Sequence, residues 1–428
     1  MNTSIPFAEN RPLRIVIVGA GVAGCIVART LAQCPGVEVT CLERVARDDH
    51  SEAGTGLNIG PNAIKLLRAH DPALADAVAT ASLPWKSWRT SLTDGTELFT
   101  LPLSDVADND GVRIRWSELY RVLRDGAGDA VRYGVTVSGI RREADGRCTL
   151  SYIDGAGGES LTLRDIDLLI GADGRYSDTR RALSGAPVMR QVGVAIFRLL
   201  VPDTAAGLID DYEQWFNGAN RLLAFRVPPG HIYMAGTFPL NAGDDISDAD
   251  KTAEALRRFY TPANAAPGAQ CAWLVDTLCA NVGAIHWARL QETEAGYRDG
   301  DAPLLYLGDA AHGMVPTLGQ GATQAIEDGC VAAALISRRL ASGSRDVGAW
   351  LHAFDAARSE RIRFVMDFSL EASDTLFAGA DPVAGSLKKM QPPFQEKLRR
   401  LYRDVAHDAD HVGATSAAVP TSAAEAMR

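Results

Sequence analysis

Apolar positions first gather as Ile15–Val18, then, across a glycine turn and a helix of small residues, as Val37–Leu42 ending at Glu43. That order predicts a βαβ unit. "GTGLNIGPNAIKLLRAH" carries glycines up to Gly60 and a helical pattern from near Pro61, where proline suits a first turn. "WSELYRVLR", Trp116 to Arg124, has apolar residues at helical spacing, with Ser117 as N-cap. Strands separated by turns follow, ending in a buried strand at Leu168–Ile170. Residues 186–280 change character: alternating runs such as "RLLAFRV" and "HIYMAGTF" and an acidic loop at 241–250 predict a second domain that is mostly sheet. Beyond a strand at 304–307, "AIEDGCVAAALISRRLA" and "VGAWLHAFDAARSERIRFVMDFSLEASDTLF" are helical, with their Arg, Lys and Glu expected on a solvated face.

Length and charge narrow the classes. A chain of 428 residues exceeds what one core usually supports, so about two domains are expected. A net charge of -10 opposes nucleic-acid binding. Seven cysteines lie scattered without C-x-x-C spacing, which reads as buried thiols in a reducing compartment and no metal site. The start lacks the order of a signal peptide, and Ile15–Ala28 is too short and glycine-rich to span a bilayer, so a cytoplasmic enzyme without membrane contact is expected.

The chemistry lies in three segments. In Gly19-x-Gly21-x-x-Gly24 the glycines permit a tight turn and close approach to a pyrophosphate, and Glu43 ends the next strand where a carboxylate can hold a ribose 2'-OH. Such a carboxylate repels a 2'-phosphate, which leaves FAD or NAD. "GADGRYSDTRR" places Asp173, Gly174, Arg175 and Arg180 in a turn after a strand, and "YLGDAAHGMVPTLGQGATQAIEDG" supplies Asp309 after another. Taken singly, Asp309 also suits a capping or turn residue. A helix starting at Gln320 or Gly321 points free N–H groups and its positive dipole end at whatever precedes it.

This ordered set of GxGxxG, DG and GD motifs resembles the class A flavoprotein monooxygenases, the p-hydroxybenzoate and salicylate hydroxylase group, over residues 14 to about 340. The resemblance implies an α/β fold: a Rossmann-type FAD-binding domain (11–80, 106–185 and 281–345), an inserted, mostly antiparallel β-sheet substrate domain (81–105 and 186–280) and C-terminal helices (346–405); the tail (406–428), rich in Ala, Ser and Thr, is expected to be disordered. It puts Gly19, Gly21, Gly24 and Glu43 on the ADP half of FAD, Asp309 on ribityl or ribose hydroxyls, Asp173 and Gly174 in the DG turn, and Pro316, Gly319, Gln320 and Gly321 in the loop over the isoalloxazine. Thr323 stands where relatives often carry Asn, and the family's FAD-contacting arginine falls on Trp116, with Arg115 one position early as a substitute.

The implied activity is hydroxylation of a small phenolic or N-heteroaromatic compound, plausibly a carboxylic acid, through an FAD C4a-hydroperoxide, with O2 and with NADH or NADPH as a transient donor. The partners are that aromatic substrate and O2, on a monomer or homodimer. Arg221, where relatives carry a substrate-contacting arginine, His231, Tyr233 and Pro316 are the catalytic candidates; Asn58 joins Arg221, Tyr233 and Pro316 as substrate-binding candidates. Arg221, Leu223 and Phe225 share one strand face, as do His231, Tyr233 and Ala235. Tryptophans 85, 88, 215 and 287 are candidates for an aromatic pocket; His312 is expected to pack beside the GD turn and His286 to lie in the core. The alternatives are an FAD-dependent epoxidase or reductase, which needs a long apolar pocket, and a non-catalytic flavin-binding protein.

Overall fold

The computed structural model describes residues 11–47, 49, 55–155, 158–241 and 243–405. The first unit is the expected βαβ: strand Leu13–Val18, helix Val22–Leu31 and strand Val37–Glu43. These strands join a five-stranded, wholly parallel sheet in the order 304–306, 168–171, 13–18, 37–43, 131–133. Strands Leu168–Gly171 and Leu304–Tyr306 are buried throughout, and Leu13–Val18 is buried except at Arg14, as a sheet covered on both faces requires. A three-stranded antiparallel meander, Val135–Arg142, Cys148–Asp154 and Ser160–Ile166, leads back into the strand Leu168–Gly171.

The second unit is a seven-stranded sheet in the order 286–293, 189–202, 231–239, 220–227, 213–217, 87–92, 97–102. All its pairings are antiparallel except that of Glu213–Asn217 with Ser87–Leu92. Strand His286–Thr293 pairs with Met189–Pro202, so the sheet continues past the boundary expected at 280. Leu222, Ala224, Ile232 and Met234 on one face pack with Leu256, Tyr260, Leu274 and Leu278 of helices Ala253–Tyr260 and Ala269–Ala280. The other face shares a cavity with the parallel-sheet unit.

Several expectations need correction. Trp116 opens the helix Trp116–Ala127 with Arg115 at its N-cap, so Ser117 lies inside the first turn. His286 is exposed at a strand start. Of the seven free cysteines, Cys34 and Cys279 are only half-buried. The expected disordered tail lies outside the described residues. No helix among the described residues is long and apolar enough to cross a membrane.

The largest departure concerns the C-terminal charges. Glu327, Asp328 and Arg358 are buried, because helix Gln320–Ala341 is covered on every side from Thr323 to Ala333. Glu327 accepts from Arg358 Nη1 and Arg361 Nε (both 2.6 Å) and from Asn62 Nδ2 (2.6 Å). Asp328 accepts from Arg358 Nε (2.9 Å), the Tyr297 hydroxyl (2.9 Å), His312 Nε2 (2.7 Å) and the backbone N–H of Gly308 (2.9 Å). The network therefore ties the GD turn and the helix Pro61–His70 to helix Val347–Glu371. Burial raises the Glu327 pKa, but the charges of Arg361 and Arg358 and hydrogen bonds from Arg361 and Asn62 win, holding it at about 2 against an ordinary 4.5.

Arg358→Ala leaves two buried carboxylates short of their counter-charge and is expected to destabilise the fold by about 3–5 kcal/mol, read as a large drop in thermal midpoint. The pH dependence follows from the depressed folded pKa. Stabilisation by Glu327 is complete above pH 4.5 and lost as pH falls through about 2, so the stability gap between wild type and Glu327→Gln should close over that interval. A gap independent of acid would contradict this.

Candidate active site

The glycine turn is built for close approach. Gly19 has φ +98°, and a Cβ there would lie 2.4 Å from the Ala172 carbonyl oxygen; a Cβ on Gly24 would lie 2.0 Å from the carbonyl oxygen of Gly19. Gly21 N-caps helix Val22–Leu31 without any side-chain cap, and Gly21, Val22 and Ala23 line a cavity of about 780 Å3. The first-turn N–H groups are thus available to an anion. Glu43 does not line the cavity. Its Oε2 accepts from the Ala20 N–H (2.7 Å) and its Oε1 from the Val45 N–H (2.9 Å), which holds the turn while each oxygen keeps a further lone pair.

The DG turn works the same way. Asp173 accepts from the Ser177 hydroxyl (2.5 Å) and the Thr179 N–H (2.9 Å), so it shapes the turn, and Gly174, φ +81°, faces the cavity. Arg180 donates to the carbonyls of Ala310 (3.0 Å), Ala311 (3.3 Å) and Glu294 (3.2 Å), a structural tie between the DG and GD segments. Asp309 is the cavity's carboxylate. It lies 3.8 Å from Arg175 Nε and makes no hydrogen bond to a described residue, leaving its acceptors available.

At the far side, helix Gln320–Ala341 starts from Gly319 in the left-handed region, φ +65°, where a Cβ would meet Asn58 Nδ2 at 2.5 Å. Asn58, Pro316, Gly319 and Gly321 line the cavity. Gln320 does not: its side chain is fully buried and bonds Asn62, Gln324 and the Leu318 carbonyl. Thr323, in place of an amide, accepts from the Gly60 N–H (2.9 Å) and donates to the Gly319 carbonyl (2.8 Å), so it secures the loop. Arg115 is not among the lining residues; Trp116 is, its ring 4.6 Å from that of Tyr120.

The floor is the open face of the seven-stranded sheet. Arg221, Leu223 and Phe225 line it from one strand and Tyr233 and Ala235 from the next. His231, on the same face by register, lies at the strand's start outside the cavity with Nδ1 against the Pro229 carbonyl, so it is placed away from any substrate there. Of the four tryptophans named above, Trp287 lines the cavity and Trp85, Trp88 and Trp215 are core.

Arg221 is the anomaly. It is 2% exposed, its Nε is buried without a partner, and its side chain makes no hydrogen bond or ion pair with any described residue. Burial lowers its pKa, partly offset by Tyr212, Tyr233 and Tyr260. Burial pushes the Tyr233 hydroxyl up to about 12 against the pull of Arg198 and Arg221, so it remains a proton donor at neutral pH. Sequence reasoning missed Arg198, Tyr212, Tyr120 and Trp116 as cavity residues. The one available signal was a lone arginine inside the apolar run "VGVAIFRLLV".

The residues fit FAD: a tight glycine turn beside the cavity, an uncapped helix start and a carboxylate with open acceptors. Residues 13–200 match the family described as FAD binding domain. Over most of its length the chain is similar to FAD-dependent aromatic monooxygenases. It is 28% identical over 357 residues to 2-heptyl-3-hydroxy-4(1H)-quinolone synthase of Pseudomonas aeruginosa, covering 82% of this chain and 87% of that one. It is 29% identical over 337 residues to 3-amino-4-hydroxybenzoate 2-monooxygenase of Streptomyces cremeus, covering 74% and 77%. The structure of Klebsiella pneumoniae HpxO complexed with FAD and uric acid superposes with a TM-score of 0.70 at 25% identity, covering 94% and 96%.

Asp309→Ala removes a charged acceptor from the cavity without touching the buried network. FAD affinity should fall about ten- to a hundredfold, measured by titrating stripped protein and following flavin fluorescence. Unchanged affinity would take Asp309 out of cofactor binding.

Proposed function

We propose that the chain hydroxylates a small phenolic or N-heteroaromatic acid whose anionic group is held by Arg221. The observation that carries this reading is the unpartnered, buried guanidinium in the cavity floor. A buried cation without a counter-charge is expensive, and a substrate carboxylate, phenolate or enolate relieves that penalty on binding, with two parallel N–H donors to grip it. FAD, when bound, supplies oxygen transfer from O2 at the expense of NADH or NADPH.

The chain's own residues do the rest. Phe225, stacked on Tyr212 with centroids 5.9 Å apart, and Leu223 give the ring an apolar bed. The Tyr233 hydroxyl, which bonds no described residue, is placed to donate to an oxygen or nitrogen of the substrate and so to favour the electron-rich form of the ring. Pro316 and Gly319 bring backbone close above, with the first N–H groups of the Gln320 helix directed at negative charge there. Two arginines, Arg198 and Arg221, in the floor disfavour the epoxidase alternative, whose alkene or prenyl chain needs an apolar pocket.

The test is oxidation of NADH and NADPH in air by the FAD-loaded protein, with a panel of hydroxylated benzoates, pyridines and fused heterocycles. One compound should stimulate strongly and emerge oxygenated. Arg221→Ala should raise its KM about a hundredfold or more while leaving FAD affinity intact. Stimulation that survives the substitution would remove Arg221 from substrate binding.

A further inference from the structure

Arg221 is not the only cation without a partner in this cavity. Arg198, on the strand Met189–Pro202, also lines it, its Nε is buried and unsatisfied, and its side chain makes no hydrogen bond or ion pair with a described residue. Two further arginines line the cavity, and each is occupied: Arg175 by the Met314 carbonyl and Asp309, Arg289 by Asp245 at 2.6 Å. Asp309 is the one carboxylate among the lining residues, and it stands beside Arg175, not beside the floor. The floor therefore carries two positive charges that no described residue answers with a hydrogen bond or ion pair.

Sheet register fixes how they face each other. Arg198 is opposite Ala235, and Ala235 is opposite Leu223, so the three form one row across three strands. Arg221 lies two residues along from Leu223 on the same face. Strand spacing and rise put the two arginine backbones about 12 Å apart, with the small side chain of Ala235 between them. Tyr233, next along the central strand, feels both guanidinium charges. Two long cationic side chains reaching inward from 12 Å apart over a flat, small-residue floor span the width of one substituted ring.

We propose that the substrate is an aromatic dianion, with two acidic groups on opposite sides of the ring system, one taken by Arg221 and the other by Arg198. This rests on the reading of Arg221 as the substrate anchor and adds the second charge. Arg198 is then a specificity residue: it contributes little to a ring with one acid and much to a ring with two, because the second anion removes the repulsion between the guanidiniums as well as gaining its own charge-assisted bonds.

The test is binding, read by calorimetry and by the flavin difference spectrum of the FAD-loaded protein. The ortho, meta and para benzenedicarboxylates and the pyridinedicarboxylates are compared with benzoate, hydroxybenzoates and nicotinate. At least one dicarboxylate should bind about thirtyfold or more tighter than its mono-acid counterpart. Arg198→Gln should collapse that ratio to within about threefold and Arg198→Lys should restore part of it, whereas Arg221→Gln weakens mono- and di-acids together. Mono-acids that bind through Arg221 with no advantage for a second acid would overturn the dianion while sparing the proposed function. No binding by any ring acid would overturn both. An Arg198→Gln variant that raises the KM for NADH or NADPH, with the di-acid preference intact, would assign Arg198 to the nicotinamide cofactor and overturn the proposal as well.

Discussion

Two adjacent buried carboxylates organise this molecule. Glu327 and Asp328 sit in the middle of a helix that is covered on all sides, where an ionised acid survives only if charge and hydrogen bonds surround it. The groups that surround them come from distant segments: Asn62 from the first third of the chain, Gly308 and His312 from the GD segment, Arg358 and Arg361 from the last long helix. Satisfying the pair therefore fixes where the GD turn sits against the parallel sheet, and with it Asp309 and the loop that leads to Gly319. The catalytic end of the protein is positioned by ions that never meet the substrate.

Around that anchor the motifs divide their work. Asp173, Glu43, Thr323 and Gln320 spend their polar atoms on backbone or neighbouring side chains, shaping turns that present Gly21, Gly174 and Gly319 to the cavity. Arg221, Arg198, Tyr233 and Asp309 keep their donors and acceptors open. The distinction between a residue that makes a site and one that faces it is thus a matter of where its hydrogen bonds go.

The first βαβ unit, the DG and GD turns and the helix start at Gln320 were legible because each is a local pattern with a local cause: glycines where a Cβ would strike Ala172 or Gly19, a proline at a first turn, an apolar strand ahead of each acidic turn. The strand faces bearing Arg221 and Tyr233 were legible from alternation, but not which side was inward, since that depends on helices Ala253–Tyr260 and Ala269–Ala280 covering the opposite face. His231 fell on the right face and the wrong end, which periodicity cannot tell. The expectation of a solvated face for Glu327 and Arg358 failed for a related reason: amphipathic logic assumes one side of a helix meets water, and this helix has no such side between Thr323 and Ala333. Arg198 was hidden by its apolar neighbours, whose burial is what makes its charge matter.

The seven-stranded sheet alternates strictly between its two faces over the strands that matter most. Leu222, Ala224, Ile232 and Met234 pack against the covering helices, while Arg221, Leu223, Phe225, Tyr233 and Ala235 line the cavity. Inheritance can then act on the two sets in different ways: every second codon along these strands shapes the ligand's surroundings while its neighbours hold the sheet to its helices. A scaffold so divided can change its diet without first being rebuilt, and descendants of one ancestor can part ways in chemistry long before they part ways in shape.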